Sequence, residues 1–333
     1  MHFPKFFSII FILQILVFGF CESHKCAKPY KTIHVCQRGD KTFKTIQSAI
    51  DTVPPGNSQW IRIRISPGVY KEKVTIDNTK RCIFLHGAGR NSTTIQWGDF
   101  GSAKHTATVE ISGNNTLVKG ITFENTHNTR DSENVTQAVA VRVHADKCAF
   151  INCGFIGVQD TLYDSIGRHY YHNCYIQGAT DFIFGSGRSI FKGCKIYFSN
   201  GLGPPKKGVI TANERESEDD PSAFVFNKCK INGEGGKTNL GRALTSGNPR
   251  VIIAKSFFAD VIRTEGWAEK DFFKGHEENI TFVEERCRGP GSDLTGRVAW
   301  INKLKKSEIK KFVDISFIDN DGWIANLPVK GIK

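Results

Sequence analysis

The chain of 333 residues lacks any uninterrupted apolar run long enough to cross a bilayer. The longest candidate, Phe6 to Phe20, spans fifteen positions and is broken by Ser8 and Gln14, short of the roughly 18 residues a span needs. Lys5 precedes it and Gly19-Phe20-Cys21 ends it, with small residues at both cleavage-determining positions. Residues 1–21 therefore read as a secretory signal peptide, and no membrane span is expected in the 312 residues that follow. Acidic residues are also in deficit, 33 Asp+Glu against 45 Lys+Arg, for a net charge of +12. A basic chain raises the question of nucleic acid, but secretion removes that partner. The polyanions left outside a cell are acidic polysaccharides, phospholipid surfaces and proteoglycans. With 39% apolar residues and 32 glycines the chain can bury a sizeable core, which excludes intrinsic disorder.

No pair of cysteines has C-x-x-C spacing, which excludes a zinc ribbon or a thioredoxin-like centre. Ten cysteines suit an oxidising compartment. Loss of Cys21 with the leader leaves nine, an odd number, so at least one thiol stays free and the pairing is not readable. There is no G-x-S-x-G elbow, no H-E-x-x-H and no P-loop. Gly87-Ala88-Gly89-Arg90 lacks the third glycine of a dinucleotide loop and reads as a turn; His169 and His172 flank two tyrosines and read as packing residues or surface. Four N-x-[ST] sequons, at Asn91, Asn114, Asn134 and Asn279, fit a secreted glycoprotein.

What the chain does have is a repeat. The 3.6-residue period almost vanishes after residue 60, and short β-rich runs recur between Gly, Asn and Asp. Asn152-Cys153-Gly154-Phe155, Asn173-Cys174-Tyr175-Ile176, Gly193-Cys194-Lys195-Ile196 and Lys228-Cys229-Lys230-Ile231 are versions of one phrase, preceded by Gly120-Ile121-Thr122-Phe123 and followed by Lys255-Ser256-Phe257-Phe258. The tightest intervals are 21 and 20 residues. A period near twenty without crossover helices predicts an all-β solenoid of stacked coils, a parallel β-helix, with the cysteines in an inward ladder. Thr42 to Val53 places Phe43, Ile46, Ile50 and Val53 on one helical face and supplies an N-terminal cap. Ser307 to Phe312 is expected to form a short helix closing the far end. After the leader, an N-terminal segment 22–40 and a single domain 41–328 are expected, with no second domain.

The solenoid register also brings polar residues together. Asp160 and Asp181 are 21 residues apart, and Gln137 precedes Gln159 by 22. Two carboxylates held that close cannot both ionise readily, so one becomes an acid and the other an anionic nucleophile. The glutamines offer neutral donors for an oxyanion, and Arg242 could hold the anionic aspartate by a bidentate bond. A single Asp at a solenoid turn is normally a backbone cap. Two Asp and two Gln in coil register, with glycines around them, point to a site.

These motifs resemble the signature of plant pectin methylesterases. Gly68-Val69-Tyr70-Lys71-Glu72, Gly120 to Thr126, Gln137 to Ala140, Gly154 to Tyr163, Gly178 to Gly185, Leu240-Gly241-Arg242 and Gly266-Trp267 follow the family's order, covering about Lys41 to Pro328. The resemblance implies a right-handed parallel β-helix hydrolase. It makes Asp181 the nucleophile and Asp160 the acid and base. Gln137 and Gln159 would stabilise the oxyanion, and Arg242 would orient Asp181. It implies pectin as substrate, the extracellular cell wall as location, a monomer, and no metal or cofactor. It also allows a proteinaceous inhibitor as partner. The family's inhibitor-like pro-region is not expected here, nor is autoinhibition in cis. One departure stands out: Leu244 occupies the place of the cleft tryptophan and lacks its flat face for a sugar ring. That leaves a non-catalytic pectin-binding wall protein as the alternative. A polygalacturonase or pectate lyase is a third reading, but Asn128-Thr129-Arg130 and Lys274-Gly275-His276 break the glycosidase phrases.

Overall fold

The computed structural model describes residues 25–39, 43–129, 134–199, 208–268, 277–301, 304–329 and 331. The expected signal peptide, the first residues of segment 22–40 and the Lys274-Gly275-His276 phrase lie outside the described residues.

Short strands follow one repeating circuit. Gly154–Ile156 lies in an eight-stranded sheet, Leu162–Ile166 in a seven-stranded sheet and Arg168–His172 in a ten-stranded sheet. Tyr175–Gly178 then returns beside Gly154–Ile156, one coil on. Strands joined by such circuits pair in parallel, and the crossover runs right-handed. The chain is a right-handed parallel β-helix.

The repeated phrase marks one corner of every coil. Gly154, Tyr175, Lys195, Lys230 and Phe257 pair in succession across the eight-stranded sheet. Just before them, Gly120, Asn152, Asn173, Gly193, Lys228, Lys255 and Arg286 all adopt left-handed backbone, with φ between 51 and 66°. This one residue per coil turns the chain from the ten-stranded sheet into the eight-stranded sheet. Gly takes that conformation freely, Asn tolerates it, and other residues adopt it at about 1 kcal/mol or more.

Behind each corner residue the side chain points inward, giving a column of Cys153, Cys174, Cys194, Cys229, Ser256 and Cys287. Each thiol donates to a carbonyl of the preceding coil, as Cys174 does to Phe150 (3.4 Å) and Cys194 to Tyr171 (3.4 Å). All five thiols are free, and burial pushes Cys153, Cys174, Cys194 and Cys287 upward, which suits packing rather than redox work. Beside them Phe150, Tyr171, Phe191 and Phe226 stack face to face at 5.0, 4.5 and 4.5 Å between centroids. The disulfide joins Cys26 to Cys82 and clips the first strand, Ala27–Val35, to the coils.

The expected N-terminal cap forms as helix α1, Ile46–Asp51. Ile46, Ala49 and Ile50 are fully buried against the first coil. Thr45 caps the helix through the Ser48 N–H, and the carboxylate of Glu72 accepts the Ile46 and Gln47 N–H groups at 2.8 and 3.0 Å. The acid of the Gly68–Glu72 motif thus holds the cap in place. The C-terminal expectation needs correction. Helix α2, Lys306–Val313, does not close the far end; it packs on strands Ala223–Asn227 and Arg250–Ala254 of the ten-stranded sheet, and α3, Ser316–Asp319, lies against two earlier strands. That sheet carries Phe84, Leu117, Tyr170, Ile190, Val225 and Ile252 on its outer face, so it needs cover on both sides.

Phe191→Ala should remove the centre of the aromatic stack and cost about 3–5 kcal/mol, read as a lower urea midpoint. A loss below about 1 kcal/mol would mean the neighbouring coils close over the gap.

Candidate active site

A cleft of ≈ 340 Å³ opens on the outer face of the seven-stranded sheet. On that face Glu110, Arg142, Tyr163, Phe184, Ala212 and Arg242 form a row in coil register, and Tyr163, Phe184 and Arg242 of that row line the cleft. Its wall is the corner where chain leaves the eight-stranded sheet for the seven-stranded one, and both aspartates sit on that corner. Asp160 and Asp181 have left-handed backbone, φ 63 and 48°. The Asp160 N–H donates to Thr180 O at 3.1 Å, which sets the two aspartates one coil apart. The Val158 carbonyl accepts from both Ala179 (2.7 Å) and Thr180 (3.2 Å), a bulge that turns the chain just before Asp181. Gly178 permits this turn, since a Cβ there would lie 2.2 Å from Phe182 Cβ.

The register explains the 22-residue glutamine interval as well. Ala140 and Val141 both donate to Thr161 O, so the offset between these coils is 22 before the doubled contact and 21 after it. Gln137 therefore stands opposite Gln159.

The two carboxylates have different surroundings. Asp181 receives Arg242 Nε on Oδ1 at 2.8 Å and Arg242 Nη2 on Oδ2, a bidentate pair, while Arg242 Nη1 donates to its neighbour Ala243 O at 3.1 Å. Among the described residues no cation pairs with Asp160. It is 3% exposed, and among those residues its carboxylate accepts only the neutral Gln137 Nε2, at 2.7 Å on Oδ2. Burial first, and the Asp181 charge second, push the Asp160 carboxyl up to about 7, against the smaller opposing effects of Gln137 and Arg242.

All six residues singled out in the sequence line this cleft, including Leu244 at its edge. Gln137 differs in detail from expectation: one Nε2 hydrogen is committed to Asp160, leaving the second for a ligand. Gln159 is half-buried at the cleft surface beside Asp160, with no side-chain bond among the described residues. Leu244 packs against a small apolar cluster containing Tyr163 and Phe184.

Sequence reasoning missed Tyr163, Phe184, Glu214 and Lys104, which also line the cleft. Tyr163 and Phe184 stack at 4.3 Å, with Arg142 5.6 Å over the outer face of Tyr163. Their 21-residue interval equals that of the aspartates and could have found them. Glu214 has no such signal; burial raises its carboxyl, helped by Glu216 and opposed by Lys104. Among the described residues no group of three His, Cys, Asp or Glu is arranged to hold a metal ion.

A family profile described as Pectinesterase matches residues 32–321. Putative pectinesterase 10 of Arabidopsis thaliana is 42% identical over 330 residues, 98% of this chain and 96% of that protein. Probable pectinesterase 55 of the same plant is 42% identical over 93% of this chain and 95% of its own length. Among solved structures, the pectin methylesterase from carrot matches with a TM-score of 0.84 at 28% identity, covering 92% of this chain and 99% of that one. The Aspergillus niger pectin methylesterase in deglycosylated form matches with a TM-score of 0.76 at 28% identity, over 91% and 98%.

Carboxyl-detected NMR should find Asp160 titrating near 7, and Asp181→Asn, by removing the like charge, should lower that midpoint. An Asp160 midpoint already in the ordinary carboxylate range would contradict the burial argument. Because the folded-state value lies above the unfolded one, the contribution to stability is fully present below the ordinary carboxylate value of 3.8, falls as pH rises from there through about 7, and changes no further above it. Asp160→Asn should accordingly show a flatter melting temperature between about pH 4 and pH 7.

Proposed function

The chain belongs to the pectinesterase family, and from that premise we propose that it is a secreted ester hydrolase that removes methyl esters from cell-wall pectin and releases methanol. The observation that carries this reading is the unequal treatment of two stacked aspartates. One is clamped by an arginine and ready as an anion; the other stays protonated to about pH 7.

In the proposed reaction an Asp181 oxygen attacks the ester carbonyl carbon of a galacturonate unit. The free Nε2 hydrogens of Gln137 and Gln159 bind the resulting oxyanion as the negative charge moves from carboxylate to carbonyl oxygen. The bond to methoxy breaks, and the Asp160 proton goes to the leaving oxygen, giving methanol and an acyl-Asp181 anhydride. Asp160, now anionic, takes a proton from water as that water attacks the acyl carbon. Asp181 leaves as a carboxylate, Asp160 is again protonated, and the product is the uronic acid. Arg242 holds Asp181 with one orientation throughout and restores its ion pair at the end. A proton donor near 7 suits both halves of this cycle, since it must give and then take a proton.

The substrate would lie over Tyr163 and Phe184, whose edges line the cleft. Leu244 favours a second reading, a wall protein that binds pectin with little turnover, because leucine offers no ring face to a sugar. Residues 41–328 are taken as one catalytic unit, with export directed by residues 1–21 and the cell wall as the destination.

Methanol release from methylated pectin decides between the two readings. Asp181→Asn and Asp160→Asn should each lower kcat by about a thousandfold or more; a wild-type protein that binds pectin and releases no methanol would favour the binding role. Activity governed by the Asp160 acid should fall as pH rises above about 7. Leu244→Trp should lower the apparent KM for pectin, whereas an unchanged KM would place the sugar platform on the Tyr163–Phe184 pair alone.

A further inference from the structure

On a different edge of the β-helix, at the corner between the ten- and eight-stranded sheets, lies a second concavity, of ≈ 530 Å³. Lys228, Lys230, Lys255, Phe257 and Arg288 line it, and none of these residues lines the catalytic cleft. Lys228 and Lys255 stand on consecutive coils of the left-handed corner column; Lys195 and Lys230 pair in the adjoining strand row, which continues through Phe257 to Arg288. Two rows thus climb the surface at the coil spacing of about 4.8 Å, the second with Phe257 between the cations Lys230 and Arg288.

Three observations argue that this is more than a solvated basic face. First, Lys228, Lys230, Lys255 and Arg288 are in no ion pair with a carboxylate among the described residues; Arg286, in the same column, is paired with Glu285. Second, Gly120, Asn152, Asn173 and Gly193 fill the same corner on earlier coils, where the left-handed backbone is easy, yet lysine takes it at φ 57 and 52° on the coils that line the concavity. The other lysine with that backbone, Lys147, ion-pairs with Asp321. Third, aromatic rings accompany the charges: the Lys195 ammonium lies 5.4 and 5.0 Å from the Tyr175 and Tyr197 rings, and Lys230 lies 5.8 Å from Phe257. Regularly spaced cations with ring surfaces between them fit a linear acidic polysaccharide, whose carboxylates recur along a chain of sugar rings.

We infer that this corner is a second carbohydrate site, which binds de-esterified uronate polymer and tethers the protein to it while the cleft works elsewhere. The choice of uronate rests on the proposed function, because the product of that reaction is such a polymer. Neutral esterified stretches would not hold here.

The test uses the full chain carrying Lys228→Asn, Lys255→Asn, Lys230→Gln and Arg288→Gln; asparagine suits the left-handed corner, so the fold is spared. Binding to sodium polygalacturonate at low salt should weaken by about tenfold or more, with a shallower salt dependence. Methanol release from a short methylated oligogalacturonide should stay within about twofold of wild type. Unchanged polygalacturonate binding would overturn the inference, as would an equal loss of rate on the short oligomer. Heparin binding as tightly as polygalacturonate, and weakened equally by the variant, would overturn the uronate assignment. A wild-type protein that binds polygalacturonate through this corner yet releases no methanol would support the site and count against the proposed esterase instead.

Discussion

Every feature of this molecule depends on coil pairing with coil in parallel register at one strand spacing. The backbone hydrogen bonds that form the three sheets also dictate that residues about twenty positions apart become neighbours about 4.8 Å apart. Inside the tube that rule stacks Phe150, Tyr171, Phe191 and Phe226 and lines up the thiols of Cys153, Cys174, Cys194 and Cys229. On the outside it sets Asp160 beside Asp181 and Tyr163 beside Phe184. Core and site are two readings of the same ladder.

The corners are where this regularity is strained. Where one strand row gives way to the next, the chain must bend within a residue or two, and left-handed backbone is the shortest route. Gly, Asn and Asp accept it most readily. Both cleft aspartates, Asp160 and Asp181, stand in that conformation. The bend presents their carboxylates to the cleft instead of to the core or along the strand. The strain is held by the pairing on either side, which is the usual way functional sites keep an unfavourable backbone.

Electrostatics then separates two chemically identical side chains. A charged guanidinium is a far stronger partner for a carboxylate than a neutral amide, and Arg242 pairs with Asp181 while Asp160 is left to burial. The like charge of Asp181 makes ionisation of Asp160 harder still. Away from this site the positive excess has other uses: Arg168 and Lys147 pair with Asp146 and Asp321 and help hold the C-terminal segment to the ten-stranded sheet.

Periodicity made much of this legible in advance. The coil interval, the inward cysteines and the pairing of Asp160 with Asp181 all follow from residues recurring at a constant spacing, because a parallel ladder converts sequence interval directly into distance; the capping helix follows from the helical period of its apolar face. The same interval would have revealed Tyr163 and Phe184. Features without a period were not legible from spacing. Arg242 lies 61 residues beyond Asp181, and the resemblance, not the coil interval, assigned it to that aspartate; its bidentate grip depends on where a later coil places one side chain. Gln137 reaching Asp160, and Glu214 entering the cleft, depend likewise on packing between coils. The short C-terminal helix was expected at the open end but lies, with the helix that follows it, along an apolar outer face that only the assembled sheet creates. By itself, then, the sequence determined which residues would be neighbours, since that is a matter of register. The tertiary structure decided which of two equal aspartates keeps its proton, since that is a matter of burial and of a cation brought from far along the chain.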